Sequence, residues 1–525
     1  MRWLVLVSIL PVLSGCGCAG QKLKEVEEIP PLPDSGANCT PRAESCNGED
    51  DNCNGLIDDE LPANSCGVGA CANTGPSCVN GALTTCTPLA ANPEVCDGKD
   101  NDCDGTTDED LLPATCGLGE CMAVSATCAG GAPVVCVPLQ PSTERCDGKD
   151  NDCNGTVDEG LLQNRSNDRR VTNNSSSSDF VYAGWSGTQF GLVWQDKRDN
   201  ANGEIYFAAL NKDGVRLSAQ DVRVTTTTGV DAHPALAWNG TRYGLVYADN
   251  TAGNYELYFR LLEANGTPVG NPIRITNAAN ASDWPDLVWT GTFFGLAWED
   301  ERSGAGKEDV YFQKLDASGN KFGPELQITT DGARQMAPIL KWTGSGFGVV
   351  WTDTRFTQRE IYFRRLDGNG QLVGSETRIS NDGADSAWPD LSWNGTDWAT
   401  VWHDTRDGNA EVYLARLSAA GQKLGGDLRL TNATGFSGYP SIDWNGFQYG
   451  LSWQDDRAGS TSIYFAQVNA SGAKNGADLK VSSGTSTSSF TTALWNGSTY
   501  AFAWRDDRDG PAGNTELYFA YVGCP

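Results

Sequence analysis

Three short stretches put oxygen-bearing side chains at the alternate spacing that a hard cation requires. They read Asp50-Asp51-Asn52-Cys53-Asn54-Gly55-Leu56-Ile57-Asp58, Asp100-Asn101-Asp102-Cys103-Asp104-Gly105-Thr106-Thr107-Asp108 and Asp150-Asn151-Asp152-Cys153-Asn154-Gly155-Thr156-Val157-Asp158. Ligand oxygens stand at positions 1, 3, 5 and 9: Asp50, Asn52, Asn54 and Asp58; Asp100, Asp102, Asp104 and Asp108; Asp150, Asp152, Asn154 and Asp158. The carbonyl of position 7, on Leu56, Thr106 or Thr156, joins them, and Gly at position 6 makes the sharp turn. Calcium gathers about six to eight hard oxygens around one point, so these side chains must turn inward together. A helix–loop–helix site would close with a bidentate Glu at position 12, where this chain has Leu61, Leu111 and Leu161. The remaining ligands are therefore expected from Asp59, Glu109 or Glu159, from Asp97 or Asp147 upstream, or from water.

A cysteine framework must hold these loops. Cys46, Cys96 and Cys146 recur at a step of 50, as do Cys53, Cys103 and Cys153, and the set Cys66, Cys71, Cys78, Cys86 returns at Cys116, Cys121, Cys128, Cys136. Residues 39–160 are thus two full repeats and the start of a third, with 15 cysteines and few large apolar side chains. A segment unable to bury a core is held by disulfides, which form after export. One sequence does not fix the pairing, and the odd count leaves a free thiol or a partner outside, such as Cys18 or Cys524. Residues 1–160 carry 26 acidic and 7 basic side chains, so bound cations would relieve a local repulsion.

Through Cys96-Asp97-Gly98-Lys99-Asp100-Asn101-Asp102-Cys103-Asp104-Gly105 and its two siblings, the segment resembles the Cys-rich MopE-type repeats of bacterial surface proteins and, more loosely, thrombospondin type 3 repeats. The resemblance implies metal binding and brings an association with copper. Copper prefers imidazole, thioether or thiolate. The segment has no histidine, and its one methionine is Met122. The expected ion is calcium, at about three sites, in a metal-stiffened stalk.

Residues 1–15 hold Arg2 and an apolar run from Trp3 to Leu13, the length of a secretory signal core. The run ends in Leu13-Ser14-Gly15-Cys16, which resembles the bacterial lipobox and implies lipidation at Cys16. Gly at 17, by resemblance to enterobacterial lipoproteins, implies passage to the outer membrane. Residues 16–38, with Pro30-Pro31-Leu32-Pro33, read as a solvated tether.

Over residues 161–525 a second period of 51 to 54 residues is marked by Trp185, Trp238, Trp289, Trp342, Trp393, Trp444 and Trp495. Each unit shows four short strand signals, in the third Pro285 to Trp289, Phe294 to Trp298, Asp309 to Leu315 and Glu325 to Thr329, with an Asn-Gly, Ser-Gly or Thr-Gly turn after the first. Four antiparallel strands repeated seven times predict a seven-bladed β-propeller. The last unit lacks a fourth strand, and Arg170-Val171-Thr172-Asn173 ahead of the first matches the fourth strands Arg274-Ile275-Thr276-Asn277 and Arg429-Leu430-Thr431-Asn432. The expected fold is all-β: a closed propeller preceded by a small disulfide-rich calcium-loop region.

Repetition separates scaffold from chemistry. Trp-x-Asp-x-Arg recurs in six units, from Trp194/Asp196/Arg198 to Trp504/Asp506/Arg508, and a catalytic acid is needed once, so Asp and Arg are read as structural partners within or between blades. The second unit departs, with Tyr247 and Thr251. Five residues before each marker Trp stand Phe180, His233, Trp284, Ala337, Trp388, Tyr439 and Phe490. They are expected just ahead of the innermost strand, at one mouth of the channel, where aromatics either pack blade to blade or stack on a ligand. Asp286 and Asp390 would add acceptors. The two histidines leave little room for histidine catalysis; His403 is read as a surface variation and Trp398 beside Asp397 as packing. A net charge of -29 excludes nucleic-acid binding. The expected function is non-catalytic recognition or adhesion by a lipid-anchored surface protein with a glycan or protein ligand; the alternatives are a glycan hydrolase or lyase and a structural envelope component.

Overall fold

The computed structural model describes residues 40–145, 149–158, 160–166, 168–509 and 514–523. The signal segment, Cys16, the tether, Cys18, Cys39, Cys146, Asp147, Glu159 and Cys524 lie outside the described residues. Two compact units divide the chain: one runs through Ala114 and takes Val124–Cys136, the other holds Thr115–Ala123 and everything from Val137 on. The third acidic loop thus belongs to the same unit as the propeller. No helix among the described residues is long and apolar enough to cross a membrane.

The first unit has strands of two or three residues, such as Asn64–Cys66 on Asn73–Gly75 and Cys78–Val79 on Ala82–Leu83, too short to stand without covalent help. Cys46–Cys78, Cys71–Cys103 and Cys96–Cys128 each bridge 32 residues, and Cys66–Cys86 bridges 20. Cys53, Cys116 and Cys136 are disulfide-bonded too. Cys71 ends a single 3-10 turn, Gly69–Cys71, and its disulfide reaches position 4 of the second acidic loop. Ala70 N donates to Asp100 O at 2.7 Å, and Gly69 sits so close that a Cβ there would lie 2.3 Å from the same oxygen. Its φ of +55° also disfavours other residues. The same joint recurs inside the second unit, where Cys121–Cys153 and Glu120 N to Asp150 O at 2.9 Å link the turn Gly119–Cys121 to the third loop.

Seven antiparallel sheets of four strands follow, as the turn dipeptides and apolar alternation require. Blade 1 is Ser178–Trp185, Gln189–Asp196, Glu204–Asn211 and Val222–Arg223; blade 3 is Ser282–Trp289, Phe294–Asp300, Asp309–Leu315 and Lys321–Gln327. The innermost strands therefore begin earlier than expected, and the outermost strand of blade 3 lies four residues upstream of the expected start. Blade 7 has three strands of its own, Ser488–Trp495, Tyr500–Asp506 and Glu516–Gly523, and its fourth is Arg169–Arg170. Arg170 faces Tyr518 as Arg274 faces Tyr258 and Arg429 faces Tyr413, so the displaced strand closes the ring in the expected register. Gln163–Asn164 adds two further pairs on Val522 and Gly523. The core lies between blades: Phe190, Leu192 and Trp194 of blade 1 pack with Ala501, Ala503, Leu517 and Phe519 of blade 7.

The Trp-x-Asp-x-Arg motif pairs within each blade. Asp196 accepts from Ser178 Oγ (2.9 Å), Trp194 Nε1 (2.8 Å) and Arg198 Nη2 (2.6 Å), and Arg198 reaches on to Asp221 beside the fourth strand. The guanidinium lies over the blade Tyr at 4.1 to 4.7 Å in six blades. This is a scaffold device.

Candidate functional site

The acidic loops fold around their own carboxylates. In the second, Glu94 Oε1 accepts Asn101 N at 2.5 Å and Asp102 N at 2.8 Å, and Oε2 accepts Asp108 N at 3.0 Å. Single oxygens of Glu94, Asp100 and Asp102 lie within 4.8 Å of one another, as do those of Asp102, Asp104 and Glu109, and of Glu144, Asp150 and Asp152. Positions 1 and 3 lie close together in the second and third loops, and positions 3 and 5 in the second. In the first two loops position 9 leans on the cysteine turn: Asp58 Oδ1 accepts Asn47 N (2.9 Å) and Gly48 N (3.0 Å), and Asp108 Oδ1 accepts Asp97 N (2.9 Å) and Gly98 N (3.0 Å). Position 10 turns in instead, as Asp59, which accepts Asn54 Nδ2 at 2.9 Å, and as Glu109.

Glu44 Oε2, Asp100 Oδ1 and both oxygens of Glu109 are buried without a hydrogen-bond partner. Burial, with the charges of Asp104, Glu94 and Asp102, pushes the Glu109 carboxyl above its ordinary range. Cys46 and Cys78 near Asp58, and Cys96 and Cys128 near Asp108, are disulfide-bonded and have no thiolate to give. The donors are all oxygens, several of them orphaned, and they fit a hard cation.

A second constellation lies at the channel mouth. Phe180, His233, Trp284, Ala337, Trp388, Tyr439 and Phe490 sit inside the innermost strands and all have φ between +47° and +55°. Each marks a bulge, where pairing with the second strand jumps, as between Asp179 and Tyr182. Left-handed backbone costs a non-glycine residue about 1–2 kcal/mol, so the fold must impose it. In three blades a side chain at the end of the preceding blade's second strand holds the bulge amide: Glu299 Oε2 accepts Ala337 N (2.9 Å), Thr352 Oγ1 accepts Trp388 N (3.1 Å) and Gln454 Oε1 accepts Phe490 N (3.1 Å).

The bulges throw the rings inward. His233 stacks on Trp284 at 4.0 Å, Phe180 meets His233 edge-on at 4.6 Å, Trp284 meets Trp388 at 5.5 Å, and Tyr439 meets Phe490 at 4.8 Å. Packing and ring exposure coexist, since all six remain partly accessible around a cavity of about 290 Å³. His233 Nδ1 pairs with Asp283 at 2.8 Å. Glu299, cross-strand partner of Asp283, is held up at about 8 by burial and by the charges of Asp283 and Glu308. His403 is buried, not a surface variation; burial and Arg359 lower it to about 4. Trp398 packs on Trp393 and Phe363.

Below the rings three carboxylates clamp neighbouring innermost strands. Asp286 accepts Leu287 N (3.0 Å), Tyr182 Oη (2.8 Å) and, from blade 4, Leu340 N (2.7 Å). Asp390 accepts Leu391 N (2.7 Å) and Ile442 N (2.9 Å), and Asp443 accepts Trp444 N (3.0 Å) and Trp495 N (2.8 Å). Asp286 and Asp390 are therefore engaged by the backbone and are not spare acceptors for a ligand. Lys341 of blade 4 also lines the cavity; burial opposes its charge, but Asp390, Asp443 and Asp286 outweigh it and raise the ammonium's pKa.

All three loops match one family. Residues 38–59, 91–109 and 141–159 match Cu-binding_MopE, described as "Putative metal-binding motif". No curated protein matches the chain. Among solved structures, a neuraminidase-like protein from A/bat/Guatemala/164/2009 has 10% identity and a TM-score of 0.42, covering 69% of this chain and 93% of that one. The subtype N10 neuraminidase-like protein of A/little yellow-shouldered bat/Guatemala/060/2010 has 9% identity and a TM-score of 0.39, covering 56% and 95%. Pyrococcus horikoshii acylaminoacyl peptidase has 9% identity and a TM-score of 0.40, covering 66% and 51%.

The acidic loops are closed by carboxylates that sequence reasoning missed. Glu44, Glu94 and Glu144 stand two residues before the first cysteine of each repeat, at the same step of 50, and that recurrence could have found them. The bulges also had a signal: Pro234, Pro285, Pro338, Pro389 and Pro440 each follow the ring residue. Lys341 had none, because it occurs in one blade only.

Proposed function

We propose that this is an exported surface protein, anchored in the outer membrane of a Gram-negative bacterium through lipid on Cys16, whose calcium-filled repeats carry a propeller that binds a glycan or protein ligand without catalysis. The observation that carries the binding reading is the set of seven left-handed residues that turns six aromatic rings into one channel mouth. A scaffold that spends strain at seven equivalent places, on side chains that differ from blade to blade, is one in which that position serves recognition. Trp284→Ala with Trp388→Ala should weaken binding to glycan-array or pull-down ligands at least tenfold. Undiminished binding by the double variant would remove the mouth from the function.

Calcium is favoured by the donor chemistry: carboxylate, amide and carbonyl oxygens with no imidazole or thiolate. Glu94→Gln with Asp102→Asn should lower the calcium bound per chain by about one equivalent, measured by equilibrium dialysis, with copper failing to compete. Copper displacing calcium from the wild-type chain would reverse the assignment.

A second reading, a hydrolase, draws on Glu299, a carboxyl that holds its proton near neutrality beside Asp283 at the same mouth. Turnover of a captured glycan, lost in Glu299→Gln with binding retained, would replace the first reading by this one.

A further inference from the structure

The second blade breaks the rule that the other six obey, and the break is chemically coherent. In those six, the Asp ending the second strand receives four to six donors: the indole N–H, two or three from the Arg backbone and guanidinium, and in five blades a serine hydroxyl from the innermost strand. In blade 2 the indole is Tyr247, the arginine is Thr251 and the serine is Asp231. Asp249 retains Thr251 N, at 2.6 Å. A neutral Asp–Arg pair has become two carboxylates with no counter-ion within ion-pair distance among the described residues.

Both are inside the protein. Asp231 is 0% exposed and Asp249 5%. They are direct cross-strand partners, so their side chains share one face of the sheet. Asp231 Oδ2 accepts Thr227 Oγ1 at 3.0 Å, but Oδ1 has no hydrogen-bond partner although it is fully buried.

We propose that a hard divalent cation of the calcium class takes the place of the missing guanidinium in blade 2, bound by the carboxylates of Asp231 and Asp249 with Thr227 and water completing the shell. A proton shared between the two acids neutralises one charge and supplies one donor, where the sister sites supply four to six. A divalent cation neutralises both charges and engages the orphaned oxygen. The donors are all oxygens, which selects a hard ion.

The test uses the full mature chain and Asp231→Ser with Thr251→Arg, which rebuilds the arrangement of the sister blades with Tyr247 left in place. Equilibrium dialysis against calcium should give about one equivalent less in the variant, and added calcium should raise the propeller's melting temperature less than in wild type. The acidic loops are intact in both proteins, so their calcium cancels in the difference, and failure of the loop assignment would leave the difference unchanged. Should the double variant not fold, Asp231→Asn serves: it can still donate to Asp249 but brings no charge to a metal, and it too should lose one equivalent. Equal calcium in wild type and either folded variant would overturn the site in favour of a shared proton.

Discussion

Replacing Lys341 with methionine should cost the propeller about 3–5 kcal/mol at neutral pH, the usual penalty for removing one partner from a buried charge group. Asp286, Asp390 and Asp443 each hold backbone amides of the next blade, so they cannot turn away when their cation is lost. The loss should depend on pH. Burial already raises Asp286 and Asp443, and Lys341 is the main charge pulling them down. In the variant both would rise further. A carboxyl whose folded pKa exceeds its unfolded value stabilises fully below the unfolded value, near 3.8 here, and loses that contribution as pH rises through the folded one. The gap between wild type and variant, followed by urea denaturation, should therefore be smallest near pH 4 and widen toward pH 8. Asp443→Asn added to the variant should recover part of the loss at pH 8. A gap below about 1 kcal/mol at every pH would show that the carboxylates need no counter-ion.

Removal of the Cys71–Cys103 bridge by serine at both positions should cost the first unit about 3–4 kcal/mol, as expected for a loop of 32 residues. The bridge ends on position 4 of the second acidic loop, next to Asp102 and Asp104, so metal affinity should fall there and not at the first loop. Calorimetric titration should resolve one weakened site. Uniform weakening of all sites, or none, would show that the loops are not organised by the repeat ahead of them. Gly69→Ala should weaken the same site with every disulfide kept, since its Cβ meets Asp100 O.

The seven blades, the closing strand and the metal loops were legible because each is announced more than once. Arg170-Val171-Thr172-Asn173 could be placed on the last blade by matching it to two other fourth strands, before any pairing was known. The loops showed positions 1, 3 and 5 by spacing, but whether position 9 or 10 turns inward is decided by a backbone that spacing does not describe: Asp58 and Asp108 have φ of +54° and +59° and lean back on the amides of the cysteine turn. Asp286 and Asp390 read as ligand acceptors because their amide partners come from strands a whole blade away. Blade 2 was visibly irregular at Tyr247 and Thr251, yet its meaning depends on Asp231, which becomes informative only when strand register sets it opposite Asp249. Substitutions that compensate one another across strands are hidden from a linear reading.

The chain is fastened to the ring at both rims before the closing strand begins. Gln448, at the hairpin end of blade 6, donates Nε2 to Val157 O at 2.9 Å, and Asp168 pairs with Arg508 of blade 7 at 2.7 Å before the closing strand begins. Tension applied ahead of residue 150 would reach these fastenings first. The closing strand itself has two residue pairs, extended by Val171 N to Leu517 O at 2.7 Å and Leu517 N to Thr172 Oγ1 at 2.8 Å. With the third loop seated against Gln448 and Asp168 locked to Arg508, the pull is taken up before it can open the propeller at its seam.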